Sequence, residues 1–285
     1  MQVQKAVITA AAPNQNTLPL QQLVDRGGEV KTALQLIVAE TLAAGVEEIC
    51  VVIRPGDQEA YEQAAGTELT SILFVEQPEP KGYADAIYRA KGFVGNDPFL
   101  HLVGDHLYLS STEVPCAKQL IQIANEFECS VSAVQSTREN KLPYFGIVSG
   151  PLVPRRSDIY EVERVFEKPT PTFAEQELVT PGLRAGHYLG FFGMHVLTHG
   201  VMAAIEPLIS GPSAQQATLS DAMAILSSRQ RYLAYQVHGS RYNLGLTYGL
   251  LNAQLAIGLS GKDRDQILTE LVELLASRPE GVPSE

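Results

Sequence analysis

"TALQLIVAETLAAGVEEICVVIRPGD", residues 32–57, contains a helix, its stop signal and the strand that follows. Leu34, Ile37, Val38 and Leu42 recur at helical spacing and form one apolar stripe along 32–44. Gly45 closes that helix, because glycine reaches the left-handed conformation of a C-terminal cap without strain. The run "EICVVI", 48–53, is short, rich in β-branched residues and bounded by Arg54, Pro55 and Gly56. It reads as a strand covered on both faces, as in a parallel sheet flanked by helices.

The same alternation extends in both directions. Strands are expected at Ala6–Thr9, Ile72–Val75, Phe99–Val103 and Ser130–Val134, with helices at Ala84–Lys91, ended by Gly92, and at Val114–Phe127. This is an α/β pattern: a doubly wound, mostly parallel, Rossmann-like sheet. From Tyr144 the extended segments "YFGIVSG", "IYEVERVFEKP" and "HYLGFFGMHV" follow in quick succession and suggest a small mixed or antiparallel β extension. Helices are expected again at Val196–Ile205, Leu219–Ser227 and Leu244–Leu259. No linker rich in Gly, Ser or Pro divides the chain, so residues 1–275 are expected to form a single domain, with a frayed tail at 276–285.

A hydrophobic fraction of 45% over 285 residues is that of a folded globular chain. Cys50, Cys116 and Cys129 are odd in number and widely spaced, which fits neither a disulfide framework nor a CxxC metal site; a reducing cytoplasm is the simplest setting. No apolar run approaches the roughly 20 residues of a membrane helix, and "MQVQKAVITA" lacks the features of a signal peptide, so no membrane partner is expected. The net charge of −11 argues against nucleic acid as a partner. An anionic small molecule would need local cations, backbone amides or a metal ion.

In an open parallel sheet, ligands bind beyond the carboxyl ends of the strands. After the first strand comes "AAAPNQNTLPLQQL", and from Ala6 to Val24 there is no Gly, Lys or Arg of the kind that grips phosphate in many nucleotide sites. Asp105 directly follows "PFLHLVG" and stands at the sheet's rim, as an oxygen ligand for a hard cation or as a turn aspartate. His106, His187, His195 and His199 invite a metal reading, but no acid lies between His195 and His199, and surface or core roles are favoured. Lys168 in "FEKPT" is a candidate phosphate partner or a solvated lysine. Gln77 can pair with both faces of an amide-bearing base or simply end a strand, and Gly82 permits close backbone approach.

Taken in order, "KAVITAAA", "VAETLAAGVEEICVV", "EQPEPKGYADAIYRAKGFVGNDPFLHLVGDH", "YFGIV", "VFEKP", "RAGHYLGFFGMHVL" and "TLSDAMAIL" resemble the bacterial UTP:glucose-1-phosphate uridylyltransferases, within the sugar nucleotidyltransferase family. The resemblance covers Lys5 to about Leu259 and implies a nucleotidyltransferase type A-like fold. It places Ala11 and Ala12 beside the base, gives Gln77 and Gly82 the uracil, and gives Asp105 a catalytic magnesium ion. Gly146, Glu167 and Gly186 would line the sugar, Lys168 would contact the sugar phosphate, and Gln216 falls near a sugar-binding glutamate of the family. The implied ligands are a nucleotide sugar, or UTP and a sugar 1-phosphate; a homo-oligomer is left open.

The opening loop departs from the family pattern of Gly-Leu-Gly-Thr-Arg followed by Pro-Lys-Glu. Asn14 and Asn16 stand near the second Gly and the Arg, Leu23 stands near the Lys, and about three residues are missing. The second metal-binding aspartate corresponds to Asn243. Two functions therefore remain open at this stage: a magnesium-dependent uridylyltransferase forming UDP-sugar, or a catalytically impaired relative that binds nucleotide sugar in a regulatory or partner-binding role. If catalysis persists, Arg26 or Lys31 is a candidate replacement cation.

Overall fold

The computed structural model describes residues 1–13, 15–66, 72–211 and 217–277. The chain opens with β1 (Lys5–Thr9), a loop ending in a 3-10 turn at Leu18–Leu20, and a hairpin of β2 (Gln22–Val24) and β3 (Val30–Thr32). α1 (Ala33–Ala43) follows, its first turn closed reciprocally by Thr32 and Gln35, each side chain bonded to the other's main-chain N–H. Then come β4 (Glu48–Ile53), α2 (Gln58–Ala65), β5 (Ile72–Glu76), α3 (Tyr83–Arg89), α4 (Lys91–Val94), β6 (Phe99–Val103) and β7 (His106–Ser110). α5 (Cys116–Phe127), β8 (Ser130–Arg138), β9 (Gly146–Ser149), β10 (Ile159–Glu161), β11 (Arg164–Glu167) and α6 (Pro171–Glu177) lead to β12 (His187–Leu197). α7 (Gly200–Ser210), α8 (Leu219–Arg229), β13 (Tyr232–Gln236), β14 (Gly239–Asn243), α9 (Gly249–Leu259) and α10 (Arg264–Ala276) complete the order.

The main sheet runs β10-β13-β8-β12-β6-β1-β4-β5. β5, β4, β1 and β6 are mutually parallel, while β12 is antiparallel to both β6 and β8, so β8 points the same way as β6. β13 is parallel to β8, and the edge strand β10 is antiparallel to it. The sheet is thus mostly parallel, as the sequence implies. Its order reverses between β1 and β6, which makes their carboxyl ends the place for a ligand. There the two strand ends come very close: Gly104 N–H donates to the Thr9 carbonyl at 2.8 Å, and a Cβ on Gly104 would lie 2.9 Å from that oxygen.

Two expected helices begin later than the sequence suggests. Val196 and Leu197 belong to β12, not to a helix from 196 to 205, because they pair with Leu100 and Phe99 of β6; α7 starts only at Gly200. β12 itself is not part of a peripheral extension. It is buried along nearly its whole length between β8 and β6, and β9 pairs with it at Leu189 and Gly190. The helix expected from Leu244 starts at Gly249, since Leu244 N–H is committed to the Asp105 carbonyl and Tyr248 turns through a left-handed φ of 64°.

The ribbon of β7 and β14 and the β2–β3 hairpin are additions that local sequence did not reveal. Of the tail expected at 276–285, Ala276 closes α10, and residues 278–285 lie outside the described residues. Among the described residues, no helix is long and apolar enough to cross a membrane.

Candidate functional site

A cleft of ≈ 400 Å³ opens where β1 and β6 end. Residues far apart in the chain converge on it: Ala11 and Ala12, Gln77 and Gly82, Asp105, Glu167 and Lys168, and Asn243. Gly146 and Gly186 are not among its walls. Gly146 is packed behind Glu167, where a Cβ would lie 3.0 Å from Glu167 Oε2 and 2.5 Å from Ser220 Oγ, so only glycine lets that carboxylate and hydroxyl meet. Gly186 lines a separate groove with Arg138 and Arg184. Asn14 and Gln216 lie outside the described residues.

Gln77 follows β5 and is buried. Its Nε2 donates to the Gly82 carbonyl at 3.1 Å and to Asp85 Oδ2 at 2.8 Å, which uses both amide protons. Asp85 is fixed in turn by a two-pronged contact from Arg89, with Nη2 at 2.8 Å from Oδ1 and Nε at 3.2 Å from Oδ2. The oxygen Oε1 is left as an acceptor, and Gln77 lines the cleft. Gly82 holds this geometry through a φ of 98°, a conformation that side chains resist, and so sets the turn into α3. The positioning residue Asp85 is one that sequence reasoning missed, although "GYADA" puts an acid within one turn of Gly82.

Asp105 sits in the turn from β6 to β7. Burial pushes its carboxyl up, but the His106 charge and the hydrogen bond from His106 Nδ1 to Oδ1, 2.7 Å long, outweigh burial and hold it below the usual range. Asn243 ends β14 opposite His106, and the neighbouring Leu244 N–H bonds the Asp105 carbonyl at 2.8 Å, so Asn243 and Asp105 lie side by side. Asn243 Oδ1 accepts from Gly245 N–H at 2.8 Å. One ionised carboxylate and one amide oxygen suit a magnesium ion held mainly by a ligand's phosphates, which is how magnesium usually binds. Among the described residues, no group of three or more His, Cys, Asp or Glu is arranged to hold a metal.

The histidines do not assemble. His195 packs in the core beside His101, with ring centroids 5.7 Å apart and Nδ1 2.5 Å from Ser132 Oγ; His187 lines a neighbouring cavity, and His199 precedes α7. The three cysteines are buried and free, with thiols pushed up by burial to about 12, 12 and 11.

Glu167 and Lys168 close β11. Glu167 Oε2 accepts from Ser220 Oγ at 2.5 Å, and Lys168 Nζ lies 3.6 Å from Glu167 Oε1 with much of its side chain in solvent. Lys168 has a φ of 48° immediately before Pro169. Such a conformation costs on the order of 1–3 kcal/mol in a residue other than glycine, and strain of this kind gathers at functional sites.

The opening loop is tied down from within. Gln15 N–H bonds the Ala12 carbonyl, Leu18 N–H the Gln15 carbonyl and Leu20 N–H the Thr17 carbonyl, so these amides are spent on turns. Tyr61 hydroxyl donates to the Asn16 carbonyl at 2.6 Å, and Asn16 Nδ2 donates to Asp57 Oδ2 at 2.7 Å. Leu23 is buried in the core under the β2–β3 hairpin. Neither expected replacement cation reaches the cleft: Arg26 lines a different groove with Asp25 and Glu40, and Lys31 Nζ pairs with Glu29 at 3.1 Å.

Residues 19–254 match the family model described as nucleotidyl transferase, a match that begins within the 3-10 turn of the opening loop. The chain belongs to the nucleotidyl transferase family. Within this family it is 28% identical to a UTP-glucose-1-phosphate uridylyltransferase of Staphylococcus epidermidis, across 96% of this chain and 98% of that protein. It is 27% identical to the Streptococcus pneumoniae protein of the same name, across 95% and 96% respectively. A UDP-glucose pyrophosphorylase solved in complex with UDP-glucose superposes with a TM-score of 0.73 at 22% identity, covering 90% of this chain and 98% of that one. A UTP-bound UGPase from Acinetobacter baumannii gives a TM-score of 0.73 at 22% identity, covering 98% and 100%. These superpositions show that this nucleotidyl transferase has their α/β fold.

A second cavity of ≈ 390 Å³ adjoins the cleft and shares Tyr144 and Asn243 with it. Arg241, two residues before Asn243 on β14, forms its inner wall. Its guanidinium lies over the Phe145 ring at 3.7 Å, and its Nη1 donates to the carbonyls of Gly190 and Phe191. Burial pulls its pKa down to about 10. Sequence reasoning passed over Arg241, because nothing in "GSRYNLG" distinguishes an arginine held over an aromatic ring from one in solvent.

Proposed function

We propose that this cleft binds a uracil nucleotide together with a sugar phosphate, and that the chain transfers a uridylyl group between UTP and a sugar 1-phosphate. The convergence of Gln77, Asp105 and Lys168 on one cleft at the switch point carries the reading. The names of the curated relatives, and the UDP-glucose and UTP in the solved neighbours, support it.

Gln77 Oε1, held as an acceptor by Asp85, reads an N–H on the base edge, which uracil offers at N3. Ala11 and Ala12 let the base lie close to the end of β1, and Glu167 accepts a hydroxyl of the sugar. In the transfer, an oxygen of the sugar 1-phosphate attacks the α-phosphorus of UTP. The new P–O bond forms as the bond to the β-phosphate breaks, and pyrophosphate leaves. Lys168 orients the incoming phosphate and offsets its charge. Asp105 and Asn243 would hold a magnesium ion, which supplies charge neutralisation at the phosphates.

With the amides of Gln15, Leu18 and Leu20 spent on turns and no cation at residues 11–23, turnover is slow: each missing transition-state donor costs about 2.7–4 kcal/mol in comparable sites. Three buried thiols suit a reducing compartment, and we place the protein in the cytoplasm. The unbroken sheet, drawing strands from both halves of the chain, supports residues 1–275 as one domain.

The test is pyrophosphate release from UTP and glucose 1-phosphate with magnesium, run beside calorimetry of UDP-glucose. Slow, metal-dependent turnover abolished by Asp105→Ala is expected. UDP-glucose binding without turnover would assign the chain a binding role, and absence of both would overturn the reading.

A further inference from the structure

The cleft is poor in positive charge. Among the described residues, its walls carry two carboxylates, Asp105 and Glu167, against the one ammonium of Lys168, in a protein of net charge −11. A triphosphate or a pyrophosphate in such a place is repelled unless cations lie close by. The adjoining cavity has the opposite character. Arg138, Lys141 and Arg241 line it beside His187, and among the described residues no Asp or Glu does.

Arg241 is the decisive member. Among the described residues, the partners of its guanidinium are two main-chain carbonyls and the rings of Phe145 and Phe192, none of them an anion. Both carbonyls take Nη1, which leaves Nη2 and Nε with protons to give. A half-buried guanidinium facing a cavity with no opposite charge beside it loses hydration that an anionic ligand would make good. The planar fork, held over the Phe145 ring with Nη2 and Nε uncommitted, has two donors for a two-pronged contact with an oxyanion. The cavity meets the cleft at Asn243, beside Asp105, where the phosphates of a nucleotide in the cleft would arrive.

We propose that this acid-free cavity is a phosphate-binding chamber, anchored by Arg241 and rimmed by Arg138 and Lys141, that takes over the anion binding the opening loop no longer provides. The choice of phosphate as the anion rests on the nucleotide reading of the cleft. The oxyanion has two sources in that reaction, the pyrophosphate end of UTP and the phosphate of the sugar, and the test separates them.

Inorganic pyrophosphate and, separately, glucose 1-phosphate are titrated calorimetrically into the full chain without divalent metal. Arg138 and Lys141 are exposed, so the double variant Arg138→Gln/Lys141→Gln leaves the core intact; Arg241→Gln is the stronger variant, checked for folding by circular dichroism. At least one of the two ligands binds the wild type, and the double variant weakens it by about tenfold or more, with a shallower dependence on salt. Loss for pyrophosphate assigns the chamber to the nucleotide end; loss for glucose 1-phosphate assigns it to the sugar phosphate. Binding of neither ligand to the wild type, or binding untouched by the double variant, overturns the chamber. UDP-glucose affinity, measured in parallel, tests the cleft by itself: oxyanion binding that depends on Arg138 and Lys141 alongside absent UDP-glucose binding would keep the chamber and remove the nucleotide reading.

Discussion

The Gln77 amide and the Asp85 carboxylate are joined by a 2.8 Å hydrogen bond that decides which atom of Gln77 meets the ligand. Asp85 is almost wholly buried and is gripped by Arg89, so the amide has little freedom to turn over. Asp85→Ala releases it, and the glutamine can then offer either its oxygen or its nitrogen. The preference for UDP-glucose over CDP-glucose is expected to fall by roughly tenfold, the worth of one hydrogen bond read against its absence. Competitive calorimetry with the two nucleotide sugars measures this, and an unchanged ratio would show that Gln77 does not read the base.

Lys168 combines a useful charge with an unfavourable backbone. Lys168→Ala is expected to weaken UDP-glucose binding by about tenfold with the fold intact. Lys168→Gly removes the same charge but relieves the left-handed φ of 48°, which is worth on the order of 1 kcal/mol. Weaker binding together with an equal or higher melting temperature in the glycine variant separates the two contributions.

Restoring the family lysine at Leu23 should fail. Leu23 is 2% exposed within the apolar core, so Leu23→Lys would bury an ammonium and lose packing, at a cost of about 2–5 kcal/mol. Urea denaturation should record that loss, and UTP affinity should not rise. A gain in UTP affinity would mean that the hairpin shifts to expose the new side chain.

Asn243→Asp puts a second carboxylate next to Asp105 while keeping an acceptor for Gly245 N–H. Magnesium affinity is expected to increase several-fold, readable by calorimetry with the metal alone. No increase would show that residue 243 does not face the metal position.

Acid should destabilise the protein well before its carboxylates protonate. His101 and His195 are both buried and neutral; burial holds His195 at about 3 and His101 well below its ordinary value, where repulsion from His195, were both protonated, would add to the effect. In the unfolded chain both take a proton near pH 6.5, so the unfolded state binds more protons below that pH and stability falls as the pH drops. Between pH 6.5 and 5 the loss is on the order of 1–2 kcal/mol for each histidine. Urea midpoints across this range in the wild type and in His195→Gln, whose profile should be flatter, check the sign and size.

The parallel half of the fold was legible because its strands are short apolar runs with Gly or Pro within a few residues of their ends. α1 buries Leu34, Ile37 and Val38 of its expected stripe, though Leu42 is exposed, and its stop, Gly45, follows two residues after its end. β12 was harder: "VLTHGVMAAI" has helical spacing, and only the long-range pairing of Val196 with Leu100 turns its first two residues into strand. The ribbon that brings Asn243 to His106 joins positions more than 130 residues apart, a contact that no local pattern encodes. Asp105, Gln77 and Lys168 stood out by residue type beside strand ends and do share one cleft. Arg241 and Asp85 escaped notice because their importance lies in what surrounds them, an absence of anions in one case and a glutamine to be oriented in the other.

The central place of β12 also sets a timetable for folding. β6, an inner strand of the sheet, has β1 on one side at once but must wait for Met194–Leu197, some ninety residues later in synthesis, to cover its other side. Until then the growing chain carries an apolar strand with an open hydrogen-bonding edge, the kind of surface on which chains join one another. A chain ending before His187 should therefore aggregate, and the expression yield of the intact protein should depend on how well that edge is shielded during translation.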